Sequence, residues 1–98
     1  MEPKSDLIVM RMYHKGDQLQ SVVVRELTGG DIDGSMFQFE TWKNNVEDES
    51  LRETSGDIYH VRNQYFAKLL NLLEEGWKKQ SAGVYGNPHH NYFNPEEL

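Results

Sequence analysis

The sequence predicts an α+β fold. A three-stranded, mainly antiparallel sheet in the order β-β-β-α carries one long C-terminal amphipathic helix packed on one face, followed by an irregular tail. Two observations carry this expectation. The first half contains three stretches with extended-chain patterning, around Leu7–Tyr13, Leu19–Leu27 and Met36–Trp42. The second half contains one stretch, from Ser55 to about Gln80, whose apolar residues recur every three to four positions. The domain is expected to span residues 1–83, with residues 84–98 as an extended tail.

In the first stretch the even positions Ile8, Met10 and Met12 are all apolar, whereas Leu7, Val9, Arg11 and Tyr13 are mixed. Gly16-Asp17 follows and suits a short hairpin turn, because glycine adopts positive φ without steric cost. The second stretch contains Val22, Val23 and Val24 in succession, and β-branched residues favour an extended chain. A Gly/Asp-rich loop, Thr28 to Ser35, leads into a third run that sets Phe37, Phe39 and Thr41 against Met36, Gln38, Glu40 and Trp42. Lys43 to Gly56 is polar and acidic, and reads as an irregular connection with at most one helical turn.

Ser55 is a candidate helix cap, and Asp57 places negative charge in the first turn. At 100° per residue, Ile58, Val61, Tyr65, Leu69, Leu72 and Gly76 lie on one line, flanked by Tyr59, Phe66, Leu70, Leu73 and Trp77. Half of the circumference is therefore apolar, more than contact with a single layer needs. Gly76 on the core line implies that the helix backbone approaches the sheet there; the alternative is that Gly76 ends the helix and Trp77 packs back. The helix is expected to cover the sheet face carrying Ile8, Met10, Met12, Phe37 and Phe39. The opposite face is then polar, self-associated or partner-bound, and the sheet edges stay open unless the tail or a second subunit closes them.

Composition narrows the function. A chain of 98 residues with 37% hydrophobic content has little apolar material for a deep cavity, since a domain of this size buries only about 60–65% of its unfolded surface. Sixteen acids against ten bases give a net charge of −6, and the bases are scattered except for Lys78-Lys79. Phosphate backbones are bound by clustered Lys and Arg, so direct nucleic-acid binding is not expected. Cysteine is absent, which removes disulfides, thiolate catalysis and Cys-ligated zinc. The apolar run near the N-terminus is too short for a signal-peptide core or a membrane span, so a cytoplasmic protein without membrane contact is expected.

No motif points to chemistry. Gly29 to Glu40 can be laid on a calcium-loop pattern, with Asp31, Asp33 and Gly34 at plausible positions. Its first position is Gly29, however, a strand precedes it, and Glu40 lies within a strand pattern, so a β-turn loop explains it better. The acids of that loop and those of Val46–Thr54 lie at opposite ends of the third strand, roughly 20–25 Å apart at ~3.3 Å per residue. His89 and His90 are adjacent and point apart on an extended chain. Phosphate-binding loops, dinucleotide fingerprints and nucleophile contexts are lacking, so neither catalysis nor a cofactor or metal is expected.

What remains is surface. Tyr59, Phe66, Leu70 and Trp77 form a helix flank of the residue types favoured at protein interfaces. Glu47, Asp48, Glu49 and Glu53 form an acidic patch suited to a basic partner. The tail repeats Tyr-x-Asn-Pro, as Tyr85 to Pro88 and Tyr92 to Pro95, with Tyr85, Pro88, Tyr92, Phe93 and Pro95 as candidate anchors. Asn-Pro starts turns, and Asn94-Pro95 also resembles a helix start. Deleting residues 85–98 is expected to spare the fold. The leading expectation is a small non-enzymatic protein-binding module, an inhibitor, adaptor or accessory factor of the kind that phages and mobile elements carry. Acidic mimicry of nucleic acid, directed at a DNA-processing enzyme, is the alternative. A homodimer and a heterocomplex fit the sequence equally.

Overall fold

The computed structural model describes residues 2–80 and 83–94. Its class is α+β, as the sequence predicts, but the sheet is larger than three strands. Three long strands form its body: β1 (Lys4–Lys15), β2 (Gln18–Thr28) and β3 (Ser35–Lys43). Four short ones join them: β4 (Val46–Glu47), β5 (Glu53–Ser55), β6 (Lys78–Lys79) and β7 (Val84–Tyr85). The strand order is β4-β3-β2-β1-β6, with β5 also on β3 and β7 also on β1, and every pairing is antiparallel. Both long edges are thus closed by short segments, a common protection against edge-to-edge association.

The turns follow from their residues. Gly16 has φ 63 in the two-residue link between Lys15 and Gln18, so the first hairpin forms where the sequence places it. The connection after β3 is more regular than expected. Asn44 and Asn45 have φ 50 and 67, and they close a second tight hairpin between Lys43 and Val46. Asparagine tolerates positive φ better than other side chains, and two in succession suit a turn that needs it twice. The Asn44 side chain also accepts a hydrogen bond from the Leu19 amide at 2.9 Å, which ties the turn to β2. A 3-10 turn, Glu49–Leu51, then leads to β5.

The helix α1 runs from Ile58 to Glu74, shorter at both ends than the periodicity suggests. Asp57, and not Ser55, is the cap: its carboxylate accepts from the Tyr59 amide at 3.0 Å, while Ser55 Oγ accepts from the Asp57 amide one step upstream. At the other end Gly76 has φ 91. Its amide donates to Leu73 O and the Trp77 amide donates to Leu72 O, the paired bonds of a Schellman stop. Gly76 therefore ends the helix and does not lie against the sheet; Trp77 packs back into the core, only 6% exposed.

The largest departure lies in β1. Leu7 pairs with Arg25 and Val9 pairs with Val24, which leaves Ile8 as an extra residue in a bulge. A one-residue slip reverses the facing of every side chain beyond it. Ile8 and Val9 both enter the core, followed by Arg11 and Tyr13, whereas Met10 and Met12 turn to the opposite face. The helix face is thus Ile8, Val9, Arg11 and Tyr13 with Val22, Val24, Phe37 and Phe39. Val61, Tyr65, Leu69 and Leu72 of α1 pack against it.

The chain beyond residue 83 belongs to the same core. After β7, a 3-10 helix spans Pro88–Phe93, started by Asn87, whose side chain accepts from the His89 amide at 2.8 Å. A helix start thus forms at the first Asn-Pro, and the one expected from Pro95 onward lies outside the described residues. Phe93 is completely buried, its ring edge-on to Tyr65 at 5.4 Å. Asn87 Nδ2 donates to Glu26 at 2.7 Å and Arg62 Nε donates to Tyr92 O at 2.9 Å, so sheet and helix both hold the segment. An extended tail separable at residue 84 does not describe residues 84–94. Phe93→Ala is expected to lower unfolding free energy by about 3–5 kcal/mol, as for other enclosed phenylalanines. Chain cut before Tyr85 should unfold at lower denaturant still, and a midpoint equal to that of the full chain would contradict this packing.

Candidate functional site

One helix seals one face of the sheet, and the other face has no second layer among the described residues. Strand register defines it row by row, because directly paired residues point the same way. Met10, Val23 and Glu40 make the central row, continued by Val84 at the β7 edge. Met12, Ser21, Trp42 and Glu47 lie on one side, and Leu7, Arg25, Gln38 and Thr54 on the other. Leu27 and Met36 extend the surface toward the end of the sheet. Met10, Met12 and Trp42 are half-buried, yet Val23 in their midst is only 2% exposed and stands outside the main core cluster. The face is therefore tightly covered by its own side chains, apolar toward β1 and polar toward β3.

Glu40 organises the polar half. It is 3% exposed, and both carboxylate oxygens are engaged. Oε2 accepts from Arg25 Nε at 2.9 Å and from Gln38 Nε2 at 2.7 Å, and Oε1 accepts from the Trp42 indole N–H at 2.9 Å. The alternation of β3 brings Gln38, Glu40 and Trp42 onto one side, and the antiparallel register supplies Arg25 from β2. A second pair adjoins the first: Arg52 donates through Nε to Glu47 at 2.8 Å and through Nη2 to the other oxygen. Those hydrogen bonds hold the Glu47 carboxyl below the usual range and raise the guanidinium further. The four charges cancel, the carboxylates are hydrogen-bonded within the face, and the outer edges of both guanidinium groups remain partly in water.

The covered face holds a contrasting charge. Arg11 is 4% exposed, and among the described residues no carboxylate comes within ion-pair distance. Its Nε and the Tyr65 hydroxyl are buried with no hydrogen bond of good geometry among the described residues, although the two side chains lie close enough to interact. Tyr85 lies 5.9 Å from the guanidinium in cation–π range. Gly83 passes so close that a Cβ there would stand 3.1 Å from Arg11 Cδ. Burial raises the pKa of both Tyr65 and Tyr13, keeping these phenols protonated.

The expected helix flank is not a single surface. Tyr59 is 58% exposed and Leu70 is also exposed, but Trp77 is core and Phe66 is half-buried between Tyr65 and the Arg62 guanidinium. Trp77 drops out because the helix stops before it. In the tail, Phe93 is core for the same reason that the tail is ordered, while Tyr85, Pro88 and Tyr92 are exposed. Tyr92 lies edge-on to Tyr59 at 5.8 Å, and Tyr85 lies against His90 at 5.1 Å. Pro95 lies outside the described residues. The acidic patch is largely spoken for: Glu47 and Glu49 flank Arg52, Glu53 meets His60 at 2.8 Å, and Asp48 accepts from the Ser50 amide. Asp31 and Asp33 lie in the turn between β2 and β3, apart from these groups.

The sequence reading missed the uncovered face as an apolar surface because it assigned Met10 and Met12 to the core. The spacing Gln38-x-Glu40-x-Trp42 was the available signal, since it sets a carboxylate between an amide and an indole donor on one side of a strand. No protein-family model, curated protein or solved structure matches the chain.

Glu40→Ala removes the shared acceptor of Arg25, Gln38 and Trp42. With Arg25 still partly in water, the expected loss is about 1–3 kcal/mol by denaturant unfolding. A second expectation concerns Glu26, whose carboxylate accepts from Ser35 Oγ and Asn87 Nδ2, both at 2.7 Å, with His89 nearby. The Ser35 bond, then Asn87 and the His89 field, hold its pKa below the ordinary 4.5. In acid the unfolded chain therefore takes up this proton first. The Glu26 contribution is full above pH 4.5 and is lost as pH falls through the depressed folded value. Unfolding followed between neutral and acid pH should show Glu26→Gln with a shallower loss than the parent; parallel curves would refute the linkage.

Proposed function

We propose that the chain is a small non-enzymatic protein-binding module, an inhibitor, adaptor or accessory factor, that docks through the uncovered face of its sheet. The supporting observation is the composition and finish of that face. Leu7, Met10, Met12, Leu27, Met36 and Trp42 supply apolar area, and methionine, tryptophan and arginine are residue types enriched at interfaces. The Trp42 indole N–H, the Arg25 Nε–H and an amide N–H of Gln38 already bond to Glu40, so a partner could exclude water from these three donors without leaving them empty, while the outer guanidinium nitrogens of Arg25 stay available to it. Shallow hollows near the first hairpin, around Lys15 to Gln18, are open to solvent and give a small substrate little enclosure.

Acidic mimicry of nucleic acid is less well supported. It requires carboxylates free to stand in for phosphates, whereas Glu40, Glu47, Glu49 and Glu53 lie beside Arg25, Arg52 or His60.

Affinity capture from the native host, with Met12→Glu compared against Tyr59→Ala, tests the docking face. Met12→Glu places a charge in the apolar half and is expected to weaken partner retention at least about 30-fold, the scale of an interface hot spot. Tyr59→Ala, on the helix side, should retain the partner. Equal retention by both variants would refute the assignment of this face.

A further inference from the structure

Resting on that reading, we infer that the occupant of the uncovered face is a second copy of the chain, so that two sheets stack face to face in a dimer. Three features select a second copy. The first is charge. Arg25 and Arg52 offset Glu40 and Glu47, so the chain's net −6 is carried outside these four groups. Two identical acidic chains repel wherever their net charge meets, and this face lets them approach through a locally neutral, apolar surface. A strongly basic partner would instead be drawn to the acidic remainder.

The second feature is satisfaction at the centre of the face. Symmetric stacking buries the same polar atoms twice, so the central donors must be paired within the chain, while Arg25, a third exposed, keeps its outer nitrogens at the rim for water or the other copy. Glu40 takes the indole N–H of Trp42, the Nε–H of Arg25 and an amide N–H of Gln38, while the Gln38 carbonyl oxygen accepts from Thr54 Oγ1 at 3.3 Å. The third is area. The body strands with β5 and β7 at the margins span about 24 Å at ~4.8 Å per strand, and Leu7 to His14 spans about 26 Å. That gives roughly 600 Å² per copy and about 1,200 Å² for the pair, at the lower limit for specific association and consistent with a reversible dimer. Edge-to-edge pairing is a poorer route, because β4 and β5 already occupy one edge of the sheet body and β6 and β7 the other.

Light scattering on the purified full chain from about 1 to about 200 µM, a range suited to micromolar association, should show the mass rising from 11.5 kDa toward twice that value. Over the same range Trp42 emission should shift to the blue, since Trp77 is already enclosed and contributes no change. Met12→Glu should stay monomeric with unaltered circular dichroism, and Tyr59→Ala should dimerise as the parent does. A parent mass of 11.5 kDa throughout, or a dimer that survives Met12→Glu in folded form, overturns the inference. If the parent is monomeric but Met12→Glu still releases a different protein in the capture experiment, the second copy is wrong and the docking face stands. If Met12→Glu changes neither, both fall.

Discussion

The extra residue at Ile8 decides what each face of this sheet becomes. Without the bulge, β1 would present Met10 and Met12 to the helix and expose Val9, Arg11 and Tyr13. With it, Ile8 and Val9 enter the core together, Arg11 is carried beneath the layer, and two methionines pass to the open side. Because side chains alternate with a period of two, no smaller adjustment could have achieved this reversal. Both the apolar character of the uncovered face and the buried guanidinium descend from that single irregularity.

The helix that covers the other face is too short to do so alone. Its seventeen residues end at a Schellman stop, and the chain then closes the β1 edge with β6 and β7. The segment Pro88–Phe93 fills what α1 leaves open, with Phe93 against Tyr65 and His89 edge-on to Phe37 at 5.7 Å. Glu26 fastens this segment to the sheet through Asn87. In a domain with so thin a margin of burial, such a closure is part of the fold and not an appendage.

Much of this was legible in the sequence where local chemistry decides. Gly16-Asp17 made the first hairpin, three valines made β2, and the Ile58–Val61–Tyr65–Leu69–Leu72 line is the buried stripe of α1. What escaped depended on tertiary context. Nothing in "DLIVMRM" marks Ile8 as a bulge, since either phase places apolar residues inward. Gly76 lies on the core line by periodicity yet takes φ 91, because only the packing of Trp77 shows that the helix has ended. The short strands β4 to β7 have two or three residues each, too few to show a period. The tail looked like a loose end because the phenylalanine that anchors it finds its partner, Tyr65, 28 residues earlier in the chain.

The two buried charges sharpen the difference between the faces. Glu40, on the side without a second layer among the described residues, accepts three hydrogen bonds, two of them from its own strand. Arg11, on the side that the helix and the last segment seal, has an Nε without a hydrogen-bond partner among the described residues and the Tyr85 ring in cation–π range. A carboxylate that is 3% exposed has lost most of its water, and the three donors around it take that water's place. Fixing Arg25, Gln38 and Trp42 around Glu40 costs conformational entropy, which the avoided penalty of a bare buried carboxylate offsets. The Glu40 cluster is thus part of the single domain's own stability, and its bonds would remain in place under the proposed docking of a second copy.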